Sequence, residues 1–174
     1  MSKSRLSAKK LALTAVLMAM NIIMSMSIFS IPVPGGHMYL NDLIICTAAI
    51  LLDPFCAFMV GGVGAFIGDM LFYPAPMFVS LVSHGLQAVI ISVCTRRLIK
   101  DRPAPSSVIG AVFGLIVSVV GYSLGRAFVY STPEYAIMKL PFQILQTAVG
   151  SALALLLCWK CGLVKIFEKQ FNKL

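Results

Sequence analysis

Charge is scarce in this chain. Only 11% of its 174 residues are charged and six are acidic, while 59% are hydrophobic and mean hydropathy is +0.94. A soluble domain could not keep so much apolar surface from water, so lipid is the expected solvent. No Gly-Lys dipeptide occurs. That excludes a P-loop, and hydrolysis of ATP by this chain is not expected; Gly61-Gly62-Val63-Gly64 has no Lys-Ser or Lys-Thr behind it. The five cysteines (Cys46, Cys56, Cys94, Cys158, Cys161) are odd in number and lie in or beside apolar runs. They argue against a disulfide framework. Cys158-Trp159-Lys160-Cys161 has the redox spacing without βαβ surroundings and reads as incidental thiols. The length suits one helical domain, 1–174, with no room for a soluble catalytic module.

The positive charge is present in blocks. Twelve of fourteen Lys and Arg residues fall in three patches. These are Lys3, Arg5, Lys9 and Lys10; Arg96, Arg97, Lys100 and Arg102; and Lys160, Lys165, Lys169 and Lys173. The connections around His37, Tyr73 and Glu134 have almost none. Positive residues accumulate on the cytoplasmic side of membrane proteins, so the patches mark that side, including the short basic ends 1–10 and 160–174. The net charge of +8 therefore reads as topological anchoring, not as a nucleic-acid surface. The apolar run after the first patch is longer than a signal h-region and no clear A-x-A site succeeds it, so it reads as a retained first helix.

The expected architecture is an all-α bundle of six transmembrane helices, because open sheet edges are not satisfied in lipid. The expected spans are Leu11–Ile31, Leu40–Leu52, Pro54–Phe72, Met77–Thr95, Ser107–Tyr130 and Ile137–Trp159. Asp53-Pro54 is a tight turn between the second and third. Small residues four apart, as in Gly64/Gly68, Gly110/Gly114 and Gly121/Gly125, let helices pack closely.

With sides assigned, the membrane-embedded polar residues cluster by depth. Asp42, Asp69, His84, Gln87, Tyr122, Arg126, Gln143 and Gln146 all fall in the outer half or near the midplane. Ionisable groups in lipid cost at least about 2.5–3.5 kcal/mol each unless paired or hydrated. A shared polar cavity opening outward explains their clustering most cheaply. A proton or ion relay would need polar groups continuing inward, and these do not. Individually, Asp42 can serve as a helix cap, Asp69 as an ion-pair partner of Arg126, and the glutamines as interhelical glue.

Five stretches recur in a recognisable order: Pro34-Gly35-Gly36-His37-Met38-Tyr39-Leu40-Asn41-Asp42, Gly61 to Asp69, Tyr73-Pro74-Ala75-Pro76, Gly121-Tyr122, and Leu140 to Gln146 with Val149-Gly150. The chain resembles the substrate-binding S components of energy-coupling factor (ECF) transporters, in the riboflavin-type family, over nearly its whole length. The resemblance implies a multi-pass cell-membrane subunit without catalysis or cofactor. It would capture a vitamin-like heterocycle (pyridoxine-, pyrimidine-, flavin- or deazapurine-like) and topple to release it. It further implies a T component, docked on Ala15 and Ala19, and two ATPases that use the ATP. The implied site is His37, Tyr39, Asn41, Asp42, Asp69, Tyr73, His84, Gln87, Tyr122, Arg126, Gln143 and Gln146, beside an aromatic surround of Phe72 and Phe78. His84 and Arg126 depart from the family pattern, so no relative's substrate carries over. The competing readings are a small intramembrane enzyme using His84, Asp69 and Ser80 or Ser83, and a channel or scaffold bundle.

Overall fold

The computed structural model describes residues 8–34, 36–99 and 101–171. Lys3, Arg5, Gly35, Lys100 and Lys173 lie outside the described residues. Among the described residues, seven helices succeed one another: α1 (Ala8–Met24), α2 (Asn41–Leu51), α3 (Pro54–Phe72), α4 (Met77–Arg97), α5 (Pro103–Tyr130), α6 (Pro133–Lys160) and α7 (Leu163–Phe171). Four of them, α3 to α6, are long and apolar enough to cross a membrane. At 17 and 11 residues, α1 and α2 fall short of that length, and a six-span count rests on the sequence alone.

The expected first span is corrected. α1 ends at Met24, a 3-10 turn spans Ser27–Phe29, and Ile31 already belongs to a strand. Pro32 supplies the reason, since it has no N–H to donate and pushes the residue before it into extended backbone. The Gly-rich outer loop is likewise not loop alone. It forms an antiparallel hairpin, β1 (Ile31–Val33) with β2 (Gly36–Met38), pairing Ile31 with Met38, Pro32 with His37 and Val33 with Gly36. An all-α description omits this element. Gly36 has φ of +139°, a backbone that side chains other than glycine rarely adopt.

Short α2 sits in the middle of the bundle. Ile45, Ala48, Ala49, Ile50 and Leu52 are fully buried against Val60, Ala88 and Ile91, as expected of a helix apolar all round. The glycine stripe of α5 lies on α4: Gly110 and Gly114 meet Ile91, Gly121 meets Ser83, and Gly125 meets Val79.

One end of the bundle is fixed by basic residues. Lys10 of α1 forms an ion pair with Asp53, which also caps α3 by accepting from the Cys56 N–H (3.0 Å). Arg96 of α4 donates to the last carbonyls of α2, reaching Leu51 O at 2.9 Å. A cation suits the negative end of a helix dipole. At the same end, Trp159 of α6 donates to Ser107 of α5 (2.8 Å). The beginning of α1 and the end of α6 therefore share this end, and the hairpin lies at the other.

Two close helix–helix approaches frame the bundle's polar interior. In α3 the hydrogen bonding widens to an i→i+5 turn over Met59–Val63, and Asn21 of α1 donates to the Val60 carbonyl there (2.7 Å). A Cβ on Gly61 would stand 2.8 Å from Ala88 Cβ and 2.9 Å from His84 O, so α3 runs directly against the His84 turn of α4. A Cβ on Gly150 would stand 2.5 Å from Asp42 Cβ and 3.0 Å from Leu43 N. Only glycine lets α6 come this near the start of α2.

Candidate functional site

Between these approaches lies a buried polar network. Asp42 is inaccessible to solvent. Its Oδ1 accepts from Gln87 Nε2 at 2.9 Å and its Oδ2 from Gln146 Nε2 at 3.1 Å. It therefore acts as an acceptor between α4 and α6, not as a cap of α2. Gln87 thus turns its amide nitrogen to Asp42 and its oxygen the other way. That oxygen meets His84 Nδ1 at 2.8 Å, so His84 carries a proton on Nδ1. Its Nε2 has no hydrogen-bond partner among the described residues. The other oxygen of the network, Gln146 Oε1, accepts from the backbone N–H of Tyr39 at 3.1 Å.

A second chain of hydrogen bonds runs alongside. Tyr122 donates to Ser80 Oγ (2.6 Å), and Ser80 donates to Asp69. The chains meet where the His84 ring leans on the Tyr122 ring, centroids 5.0 Å apart. Asp69, His84, Gln87, Tyr122 and Gln146 are thus brought together around Asp42. Tyr39 joins through its backbone. Burial, together with the charge of Asp69, pushes its phenol above the ordinary value, so it remains a donor at neutral pH.

Other expected members stand apart. Tyr73 is exposed, as are Phe72 and Phe78, so the aromatic surround is far smaller than the sequence suggested. Asn41 is buried with its Oδ1 unpartnered. His37 is exposed in β2, with its ring 6.4 Å from that of Tyr39. Gln143 is buried, and no side-chain hydrogen bond ties it to the network among the described residues. Arg126 does not pair with Asp69. It begins a widened turn, Arg126–Tyr130, and its guanidinium lies over the Tyr130 ring, 5.6 Å from the centroid. Among the described residues Asp69 accepts from Ser80 on neighbouring α4, and the Arg126 guanidinium lies over Tyr130 instead of against that carboxylate.

The sequence reading missed Lys139. It is 1% exposed, and its ammonium donates to the His37 carbonyl at 2.5 Å, so α6 holds the hairpin at two backbone points. A signal existed: with Arg126, Lys139 is a cation outside the three basic patches.

Among the described residues the arrangement presents hydrogen-bonding groups toward the hairpin end, and no serine–histidine hydrogen bond is present. His84 is bonded to Gln87, while Ser80 is bonded to Asp69 and Tyr122, so the serine–histidine contact that hydrolysis needs is not formed. Among the described residues no cluster of His, Cys, Asp and Glu could hold a metal ion. A family model described as ECF-type riboflavin transporter, S component, matches residues 5–162. The chain belongs to that family. This S component is accordingly a transporter subunit and a multi-pass protein of the cell membrane. It is 29% identical over 150 residues to a thiamine precursor transporter, HmpT, of Lactococcus lactis subsp. cremoris, covering 84% of this chain and 83% of the relative. It is also 31% identical over 122 residues to an uncharacterised protein of Pyrococcus woesei, covering 69% and 80%.

Proposed function

We propose that this S component is a non-catalytic capture subunit. It takes a vitamin-like heterocycle (pyridoxine-, pyrimidine-, flavin- or deazapurine-like) from outside the cell and delivers it by toppling when coupled to a T component and two ATPases. The observation carrying this reading is the Asp42–Gln87–His84 network. Three buried groups from two helices fix one another's orientation and leave the His84 Nε2 edge unclaimed beneath a hairpin. Preorganised donors and acceptors beside a ring such as Tyr122 suit a flat heterocycle with few polar atoms. The name of the Lactococcus relative supports a vitamin precursor as cargo. ATP would be spent by the partner ATPases, and the chain would need no cofactor of its own.

Docking of the T component is assigned to the exposed face of α1, where Ala15 and Ala19 lie one turn apart beside exposed Val16 and Met20. Small residues let another helix approach closely. Native mass spectrometry of the purified protein should find a heterocycle retained at one per chain. Ala15→Leu and Ala19→Leu should keep that ligand while abolishing uptake by the assembled transporter. Wild-type uptake in both variants would refute the docking face, and a protein that never retains a heterocycle would refute capture.

A further inference from the structure

The last helix, α7, has no part in the capture of a substrate. It follows α6 across a sharp turn at Gly162, whose φ of +77° suits glycine. The chain then folds back onto the bundle instead of running away from it. Val164 is 3% exposed and joins the core cluster that holds Leu51, Leu52 and Cys158, with Leu163 and Phe167 packed against it. At 3.6 residues per turn the other sides of the helix are set by that contact. Lys165 and Lys169 stand one turn apart on the side turned from the core, and both are exposed. Neither enters an ion pair among the described residues. Ile166 is exposed on one flank, and partly buried Glu168 lies on the other.

The end of α6 places this helix relative to lipid. Leu153, Leu156 and Leu157 are exposed apolar residues suited to acyl chains, and Lys160 is exposed and basic. Between them Trp159 directs its indole N–H to Ser107 at 2.8 Å, and such amphipathic rings sit at headgroup level. The apolar surface therefore gives way to charge within one turn, and α7, folded back from Gly162, falls at the same level.

We propose that α7 is an interfacial helix whose outer face holds anionic phospholipid headgroups. Lys165 and Lys169, with Lys160 across the turn, meet the lipid phosphates, Ile166 enters the acyl boundary, and Glu168 stays on the aqueous flank. Cations outward, one apolar flank and one acidic flank match the layered chemistry of a membrane surface. An acidic protein surface would match the lysines as well, but the apolar belt of α6 ends beside them, so lipid is the neighbour already at hand.

Trp159, the single tryptophan of the chain, is the reporter. The full chain is placed in phosphatidylcholine nanodiscs with a small fraction of brominated phosphatidylglycerol or brominated phosphatidylcholine, and quenching of Trp159 is compared. A basic residue near an anionic surface is worth about fivefold in affinity, so the glycerol lipid should quench at about 5- to 25-fold lower mole fraction. Lys165→Gln and Lys169→Gln, both at exposed positions, should each reduce that preference about fivefold, and the double variant should abolish it. Lys9→Gln, at the beginning of α1, should leave it unchanged. Ionic strength of about 1 M, where the screening length is about 3 Å, should erase it. Equal quenching by the two lipids in the wild type, or a preference that survives in the double variant, overturns the proposal. An equal loss in Lys9→Gln would show attraction to the whole basic end and overturns it too. Uptake lost in the double variant without any lipid preference in the wild type would give this face to a protein partner and overturn the lipid reading. Retention of a heterocycle in native mass spectrometry is unaffected by any of these outcomes, so capture stands or falls separately.

Discussion

Gln87→Leu and Gln143→Leu replace two buried glutamines with the same side chain and should have different consequences. Gln87 bonds the Asp42 carboxylate at 2.9 Å and His84 Nδ1 at 2.8 Å, with all three residues at most 1% exposed. A hydrogen bond to a charged group contributes about 1.5–3 kcal/mol and a neutral one about 0.5–1.5 kcal/mol. Their joint loss should cost about 2–4 kcal/mol, or about 4–16 °C in unfolding midpoint for a chain of this size. Gln143, although 3% exposed, gives up no side-chain hydrogen bond seen within the described protein. Gln143→Leu should therefore leave the midpoint within about 2 °C of wild type, because no hydrogen bond within the described protein is lost. Its loss should appear as weakened ligand binding instead. Thermal unfolding of the ligand-free protein in detergent, followed by titration calorimetry with the retained ligand, measures both. A midpoint for Gln87→Leu indistinguishable from wild type would refute the network as a source of stability. A large drop for Gln143→Leu would show that it is structural.

Three further outcomes are expected. In a background without native cysteines, a membrane-impermeant thiol reagent outside intact cells should label Cys at Ala75 and not at Arg102; the reverse would invert the topology. Although burial alone would raise it, Asp53 is held below the ordinary carboxylate range by Lys10 and the Cys56 N–H. Its stabilisation should be fully present above about pH 4 and fade as the pH falls through the lowered value, so wild type and Asp53→Asn should converge in midpoint at acid pH; a constant gap down to about pH 2 would contradict it. Gly150→Ala should cost at least about 1–3 kcal/mol, because its Cβ would meet the Asp42 Cβ at 2.5 Å and backbone beside it; an unchanged midpoint would disprove the close α2–α6 approach.

Much of this was legible in the chain because membrane solvent writes strong signals. Apolar runs gave the starts of α3 and α4 to the residue and those of α5 and α6 four residues late, with all four ends within two residues, and depth alone grouped Asp42, His84, Gln87, Tyr122 and Gln146. Periodicity says nothing about which polar atom meets which. Asp69 and Arg126 have opposite charge at similar depth, yet Ser80, one helix away, takes the carboxylate. The hairpin was hidden for a different reason: Pro32, Pro34, Gly35 and Gly36 read as a loop, and strands of three residues are too short to show an alternating pattern. Lys139 was lost as a single cation inside an otherwise apolar helix whose partner is a backbone carbonyl 102 residues away.

The hairpin is held to α6 through the Tyr39 N–H and the His37 carbonyl, atoms that most residue types at those positions would supply equally well. Its placement is therefore indifferent to the side chains it bears. Substitution at His37 or Tyr39 changes what the strand end shows to an arriving molecule without loosening the strand itself. Under the proposed capture role, selectivity at the entrance would then change through these side chains while Lys139 and Gln146 keep the strand end in place.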